Sequence, residues 1–266
     1  MIPHKIQKYI KVYWLFCKSV VMRDLSSVSY FAFQVLFLLL LIISEITFFL
    51  VLFRQTDNVA GWELEWILLF YTMSKLISVL WWLIFSRNLN RIHEYTSSGT
   101  LDAILAKPVD SQFYCSLRWI RTSDIANLLI SFILLIIALN NLEIKFSIFR
   151  VIATGFLCLA SLAIYYAFSL LVTLPCFWFE QFRSLRLISG LARFARYPLD
   201  IYNPILRFTF STFFPIVLAL TIPAKFLRGD AAGWLVFYTC FLAVFLLWLS
   251  RKLWFVALRR YSSASS

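Results

Sequence analysis

Long apolar runs alternate with short polar connections along this chain. Five runs, at residues 31–53, 66–86, 124–139, 151–175 and 233–249, are almost free of charge, and another at 204–222 is interrupted by Pro215. A helix rises about 1.5 Å per residue, so about 20 mostly apolar residues cross the ~30 Å hydrocarbon core of a bilayer. The pattern predicts an all-α integral membrane protein with six transmembrane helices, residues 1–266 forming a single transmembrane domain. Residues 1–29 carry a different period. Over 5–23, at 100° per residue, Ile6, Tyr9, Ile10, Tyr13, Trp14, Phe16, Cys17, Val20 and Val21 share one half of the wheel, and Lys5, Lys8, Lys11, Lys18 and Arg23 share the other. Only Val12 and Leu15 fall out of place. Such a helix lies flat in the headgroup region rather than across the bilayer. No cleavable signal peptide is expected, because the first apolar run begins only near residue 30 and no small-residue cleavage site follows it.

The connections differ in length. Residues 54–65 and 140–150 are short, whereas 87–123 and 180–203 are longer and basic. In the first of these, Ser97-Ser98-Gly99-Thr100 reads as a helix start, Leu101, Ile104 and Leu105 follow on one face, and Pro108 stops it. In the second, Pro198 and Pro204 preclude one continuous helix. Pro204 can open the next span, Pro215 interrupts it and Pro223 closes it before residues 225–230. Irregular backbone at membrane depth is tolerated only where protein or a cavity covers it. The hairpin between spans five and six is therefore either re-entrant at its outer end or a simple kinked span.

Composition agrees with a membrane protein: 62% of residues are apolar and 14% charged, against about 45–50% and 25% in soluble domains. The net charge of +12 is unevenly placed. With six spans, both termini lie on one side with the loops at 87–123 and 180–203. That side holds Lys5, Lys8, Lys11, Lys18 and Arg23, then Arg87, Arg91, Lys107, Arg118 and Arg121, then Arg183, Arg186, Arg193, Arg196 and Arg207, and finally Arg251, Lys252, Arg259 and Arg260. The other side has only Arg54, Lys145, Arg150, Lys225 and Arg228. Positive residues stay inside, so both termini are expected in the cytoplasm. The basicity then reports topology and anionic lipid rather than a nucleic-acid partner.

Catalytic chemistry is hard to place. Cys17, Cys115, Cys158, Cys176 and Cys240 show no metal-ligand spacing and none falls in an outer loop, so neither a metal site nor a disulfide framework is expected. His4 and His93 are far apart, and no Ser/His/Asp or paired-carboxylate arrangement emerges. No G-x-x-x-x-G-K-[S/T] loop is present, so powered work would need ATP bound to another polypeptide.

Two charges lie inside apolar runs. Glu45 is about 12 Å from the outer end of the first span and Lys75 about 13.5 Å from that of the second. At similar depth on adjacent helices they can pair and fix helix register; alternatively Glu45 meets a cationic cargo in a translocation path, or the charges snorkel or face a cavity. Either way such charges are costly and suspect. Trp62, Trp66, Trp81, Trp82, Trp234, Trp248 and Trp254 fall near span ends, where the membrane interface favours them.

The run Ser97-Ser98-Gly99-Thr100-Leu101-Asp102-Ala103-Ile104-Leu105-Ala106-Lys107-Pro108-Val109 resembles the G-T-L-D-x-x-L-x-K-P-V element of ABC-2-type permeases. More closely, it is similar to the uncharacterised daunorubicin-type branch of bacterial ABC exporters, whose R-Y-P-x-x-I-Y element matches Arg196-Tyr197-Pro198-Leu199-Asp200-Ile201-Tyr202. The resemblance implies a pair of permease chains, a heterodimer slightly favoured over a homodimer, in a bacterial cytoplasmic membrane. Two ATPase subunits would bind the cytoplasmic face and hold the ATP and magnesium, this chain carrying no cofactor. It also implies a coupling helix in residues 87–123, with Gly99, Thr100, Leu101, Asp102, Ile104, Leu105, Lys107 and Pro108 docking into the ATPase. A hinge at Tyr197, Pro198 and Tyr202 would precede the fifth span.

The expected function is export of amphipathic or hydrophobic, including cationic, compounds out of the cytoplasm. The alternatives are a permease for a lipid-linked glycan or other envelope component, and an ATPase-independent channel or carrier. A channel or carrier calls for several embedded acids or a polar helix face, and a membrane enzyme for clustered His, Asp or Ser at one depth; the sequence offers neither.

Overall fold

The computed structural model describes residues 4–24, 28–142, 147–179, 182 and 184–261. It is helical, with no strand among the described residues beyond a single bridge between Val59 and Trp62. The helices are α1 (His4–Asp24), α2 (Val28–Leu52), α3 (Leu64–Trp81), α4 (Arg87–Ser97), α5 (Leu101–Leu105), α6 (Ser111–Leu117), α7 (Ile125–Asn141), α8 (Ile148–Thr173), α9 (Ser184–Phe194), α10 (Pro204–Thr212), α11 (Ile216–Arg228) and α12 (Gly233–Arg260). Among the described residues five segments are long and apolar enough to cross a membrane, or six if the bent pair α10–α11 counts as one span. The chain is a multi-pass membrane protein.

Contacts fix the relative directions. Phe49 and Glu45 of α2 meet Tyr71 and Lys75 of α3, Trp81 stacks on Tyr165 of α8, and Phe177 after α8 packs on Trp254 of α12. Ser161 of α8 meets Ala219 of α11, while Arg228 at the far end of α11 covers Trp62 ahead of α3. Helices α2, α7 and α11 therefore run one way and α3, α8 and α12 the other. One end of the bundle, the loop end, collects α1, α4, α5, α6 and the C-terminal part of α12. The opposite, turn end collects the turns at 59–62 and 229–232.

Helices α3, α8, α11 and α12 form the core, and α2 and α7 sit outside it. Half or more of the apolar windows in the α3–α4 and α8 spans is covered, against 11% for α2 and 6% for α7. An apolar helix so little covered by its own chain faces lipid or another subunit.

Several spans outrun their expected limits. α3 does not end at Ser86: through a π-helical turn at Trp82–Ser86 it continues into α4, giving a helix from Leu64 to Ser97. Its 34 residues extend about 51 Å, well beyond the hydrocarbon core. The π turn shifts the backbone pairing, and the loop end takes up the displaced carbonyls: Asn88 Nδ2 donates to Ile84 O at 2.6 Å and Arg121 N donates to Leu83 O at 3.0 Å.

Pro223 does not close the fifth span. It lies inside α11, which runs on to Arg228 and ends at Gly229 with φ +99°, where Gly229 N donates to Phe226 O and Asp230 N to Lys225 O. A proline inside a helix leaves the carbonyl four residues back without its N–H partner. That carbonyl, Ala219 O, accepts from the Ser161 hydroxyl of α8 at 2.6 Å, so the neighbouring helix supplies what the proline removes. The interruption expected at Pro215 is present at residues 213–215, where α10 and α11 meet at 100°. It stands before α11 and not between the last two spans, which are joined by the turn at 229–232.

The second basic loop, expected at 180–203 on the loop end, does not stay there. Asp200 accepts from Trp62 Nε1 at 3.1 Å and pairs with Lys225 at 2.7 Å, and Arg196 lies 3.6 Å from Glu45. Charge counting treats every cation between spans as a solvated loop residue. Here Arg196, itself largely exposed, has an acidic partner on α2, as a charge at membrane depth requires. Trp62, Trp81 and Trp254, among the tryptophans expected near span ends, are fully buried within the chain.

Candidate functional site

At the loop end, α4 runs out of the bundle and stops where Gly99 adopts φ +70°, a conformation nearly closed to side-chain-bearing residues. Ser98 Oγ donates to Glu94 O at 2.6 Å and lies 2.7 Å from Thr100 Oγ1, turning the chain into α5. This short helix has two faces. Leu101 and Ile104 point inward, 0% and 5% exposed, and belong to the main core. They were expected on a docking face and are unavailable to any partner, because their helix packs against the bundle with that side. Asp102, Ala103, Leu105, Ala106, Lys107 and Pro108 face outward, Leu105 being 42% exposed.

The chain after α5 is tied to three helices. Asp110 caps α6 by accepting from Phe113 N at 2.9 Å and makes a two-pronged ion pair with Arg251 of α12, one prong 2.9 Å long. Burial pushes the Asp110 carboxyl up, but the hydrogen bonds from Arg251 and Phe113 N more than offset this and hold it below its ordinary value. Arg251 also reaches Gln112 Oε1 at 3.0 Å; Gln112 Nε2 donates to the Tyr166 hydroxyl of α8 at 3.3 Å, and Ser116 lies 2.8 Å from the same hydroxyl. Asn88 holds the far end of the loop, donating to Trp119 O at 2.7 Å and accepting from Trp119 N at 2.8 Å. Trp254 Nε1 adds a bond to Ser111 Oγ at 3.1 Å. The loop is therefore braced against α3–α4 through Asn88, α8 through Tyr166 and α12 through Arg251. Helix α1 lies along it: Tyr9 packs edge-on against Phe113 and Phe16 against Tyr114, and Lys8 donates to Pro108 O at 2.9 Å.

Sequence reading passed over Asn88, Asp110, Gln112, Tyr166 and Arg251. Asp110 leaves a trace, an acidic capping residue just before a short helix. Asn88 and Tyr166 leave none, since their partners are remote in sequence.

A second cluster lies within the bundle. Glu45 Oε2 accepts from Lys75 Nζ at 3.2 Å and from the Tyr71 hydroxyl, Lys75 also donates to that hydroxyl at 3.0 Å, and Arg196 approaches the other carboxylate oxygen. Tyr197 packs on Phe48 and Phe49, Pro198 is buried, and Tyr202 donates to Phe194 O at 2.6 Å while its ring meets Phe210 edge-on. The residues expected to form a hinge are thus well packed, on the stretch that crosses from α9 toward Asp200. No group of His, Cys, Asp or Glu able to hold a metal occurs among the described residues.

A family model described as ABC-2 family transporter protein matches residues 39–265. No curated protein and no solved structure matches the chain.

Proposed function

Because the chain belongs to the ABC-2 family of transporter proteins, we propose that it is one of two permease chains of an ATP-driven exporter. Being a membrane permease of an ABC transporter, it works with ABC ATPase subunits; two of these bind the loop end and hold the ATP and magnesium. Both termini and that end face the cytoplasm of a bacterium, and the cargo is an amphipathic or hydrophobic compound moved outward. The second permease is a different chain of the same kind, as in the daunorubicin-type branch that the two sequence elements resemble. The sparsely covered α2 and α7 offer surfaces for it.

The observation that carries this reading is the bracing of the loop that continues from the outward face of α5. A segment that an ATPase pushes must transmit the push, and this one reaches α3–α4, α8 and α12 through Asn88, Gln112 with Tyr166, and Arg251. Rigid elements joined by polar contacts can carry a rearrangement at one end into the spans. The docking face is then Asp102, Ala103, Leu105 and Ala106, with Gly99 and Thr100 setting its turn and Lys107 and Pro108 turned toward α1. Glu45 already takes Lys75, Tyr71 and Arg196 from its own chain, which favours a register-fixing role over cargo recognition. The test is transport: inverted vesicles containing the chain with its ATPase should accumulate a hydrophobic dye only with ATP, and accumulation without ATPase or nucleotide would overturn the reading.

A further inference from the structure

Val12 and Leu15, the two apolar residues on the lysine side of α1, have a place in the fold. Together with Phe16 they form one wall of an open groove of about 390 Å³ whose other wall is Pro108, Val109 and Tyr114 of the loop. Leu15 is 51% exposed in it. The volume lies within the range of about 300–1,000 Å³ typical of small-molecule sites. Two cations line this apolar slot and two more stand near it on α1. Lys107 and Arg118 line it directly, and Lys11 and Lys18 flank Leu15 at helical neighbour spacing. Lys107 donates to the Tyr114 hydroxyl at 2.9 Å, and Arg118 donates to Ser19 Oγ at 3.3 Å and covers the Phe16 ring. Among the described residues none of the four cations has a carboxylate partner.

We propose that this groove is a binding site for an anionic phospholipid. One acyl chain lies along Val12, Leu15, Phe16 and Pro108, and the phosphate is drawn to Lys107 and Arg118. An apolar slot in water would be a liability, but an amphipathic helix in the headgroup layer brings it level with both parts of a lipid. Charge selects the lipid, since juxtamembrane cations favour anionic headgroups. The bound lipid would also fasten α1 to the loop, beside the contacts of Lys8 and Tyr9 already there. The inference uses the membrane placement of the chain and not its cargo or ATPase, so its failure would leave the exporter reading standing.

Native mass spectrometry of the detergent-purified full chain tests it, with phosphatidylglycerol and phosphatidylcholine of identical acyl chains titrated separately. Phosphatidylglycerol should be retained in preference. Lys107→Gln and Arg118→Gln should each weaken it about fivefold and the double variant about 25-fold. Leu15→Trp, which fills the slot from an already exposed position while leaving all four cations in place, should displace the lipid and so tests the groove even if the charge variants are poorly produced. Equal retention of the two lipids, or retention unchanged by Leu15→Trp, would overturn the site. Glycerol 1-phosphate binding as tightly as the lipid would show a phosphate site instead and overturn the acyl-chain assignment.

Discussion

Asp110→Asn separates two jobs of one side chain. Asparagine caps a helix about as well as aspartate, so the bond from Phe113 N survives and only the ion pair with Arg251 is lost. Exposed pairs contribute about 0.2–1 kcal/mol, and removing one partner of a fully buried pair costs about 3–5 kcal/mol. Asp110 is mostly covered and Arg251 half exposed, which places the substitution at about 1–3 kcal/mol. Asp110→Ala should cost about 1 kcal/mol more through the lost cap. Because the Asp110 carboxyl sits below its ordinary value, its contribution is complete above about pH 4 and is lost only as the pH falls below that. The effect of the variant should therefore be constant between about pH 6 and 8. The assay is a double-mutant cycle with Arg251→Gln, read by thermal unfolding of the purified chain and by cargo-stimulated ATP hydrolysis of the complex. A coupling energy of about 1–2 kcal/mol is expected, with ATPase still bound but its stimulation by cargo reduced. Additive effects on unfolding would refute the ion pair, and full stimulation in Asp110→Asn would refute its part in transmission.

Three further outcomes follow from the packing. Leu101→Asp puts a charge into the core and should abolish stable insertion, whereas Leu105→Asp should leave the chain folded and release the ATPase in a pull-down; the reverse pattern would mean that α5 presents its other face. Ser161→Ala strands Ala219 O and should cost about 1–3 kcal/mol in unfolding experiments, and adding Pro223→Ala, which restores the missing N–H, should recover most of that; no recovery would show that the Ser161 hydroxyl does not substitute for the proline's N–H. Glu45→Gln leaves Lys75 and Arg196 without their acid and should lower protein yield more than Glu45→Gln with Lys75→Gln does; export of cationic and neutral cargo falling in parallel would fit a structural pair, and selective loss of cationic cargo would restore the recognition role.

What the sequence made legible was hydrophobic length. The runs at 31–53 and 151–175 could be drawn within a few residues because the bilayer sets a minimum that few other structures meet, whereas the run at 233–249 stops well short of the end of α12 at Arg260. Helix ends were less visible: α4 is polar and reads as loop, yet it is the continuation of α3 through the π turn. Leu101 and Ile104 show how far a local pattern reaches. Their spacing marks an apolar face on a short helix but cannot tell whether the cover is a partner or the chain's own core. The pairing of Asp200 with Lys225 and Trp62 was invisible for a related reason. Counting cations by loop assumes that loops stay at the ends, and the stretch after α9 moves inward because its charges find partners there. Glu45 and Lys75 could be matched in depth from helical rise alone, whereas the Tyr71 and Arg196 that complete the cluster required the fold.

The central claim is that this chain is the membrane half of a transporter powered by separate subunits. The most direct measurement is the native mass of the complex recovered with the tagged chain from its own membrane under mild detergent. The account predicts two permease chains and two ATPase chains, with the ATPases lost from the Leu105→Asp variant. A transport-active single chain recovered without any ATPase would contradict it.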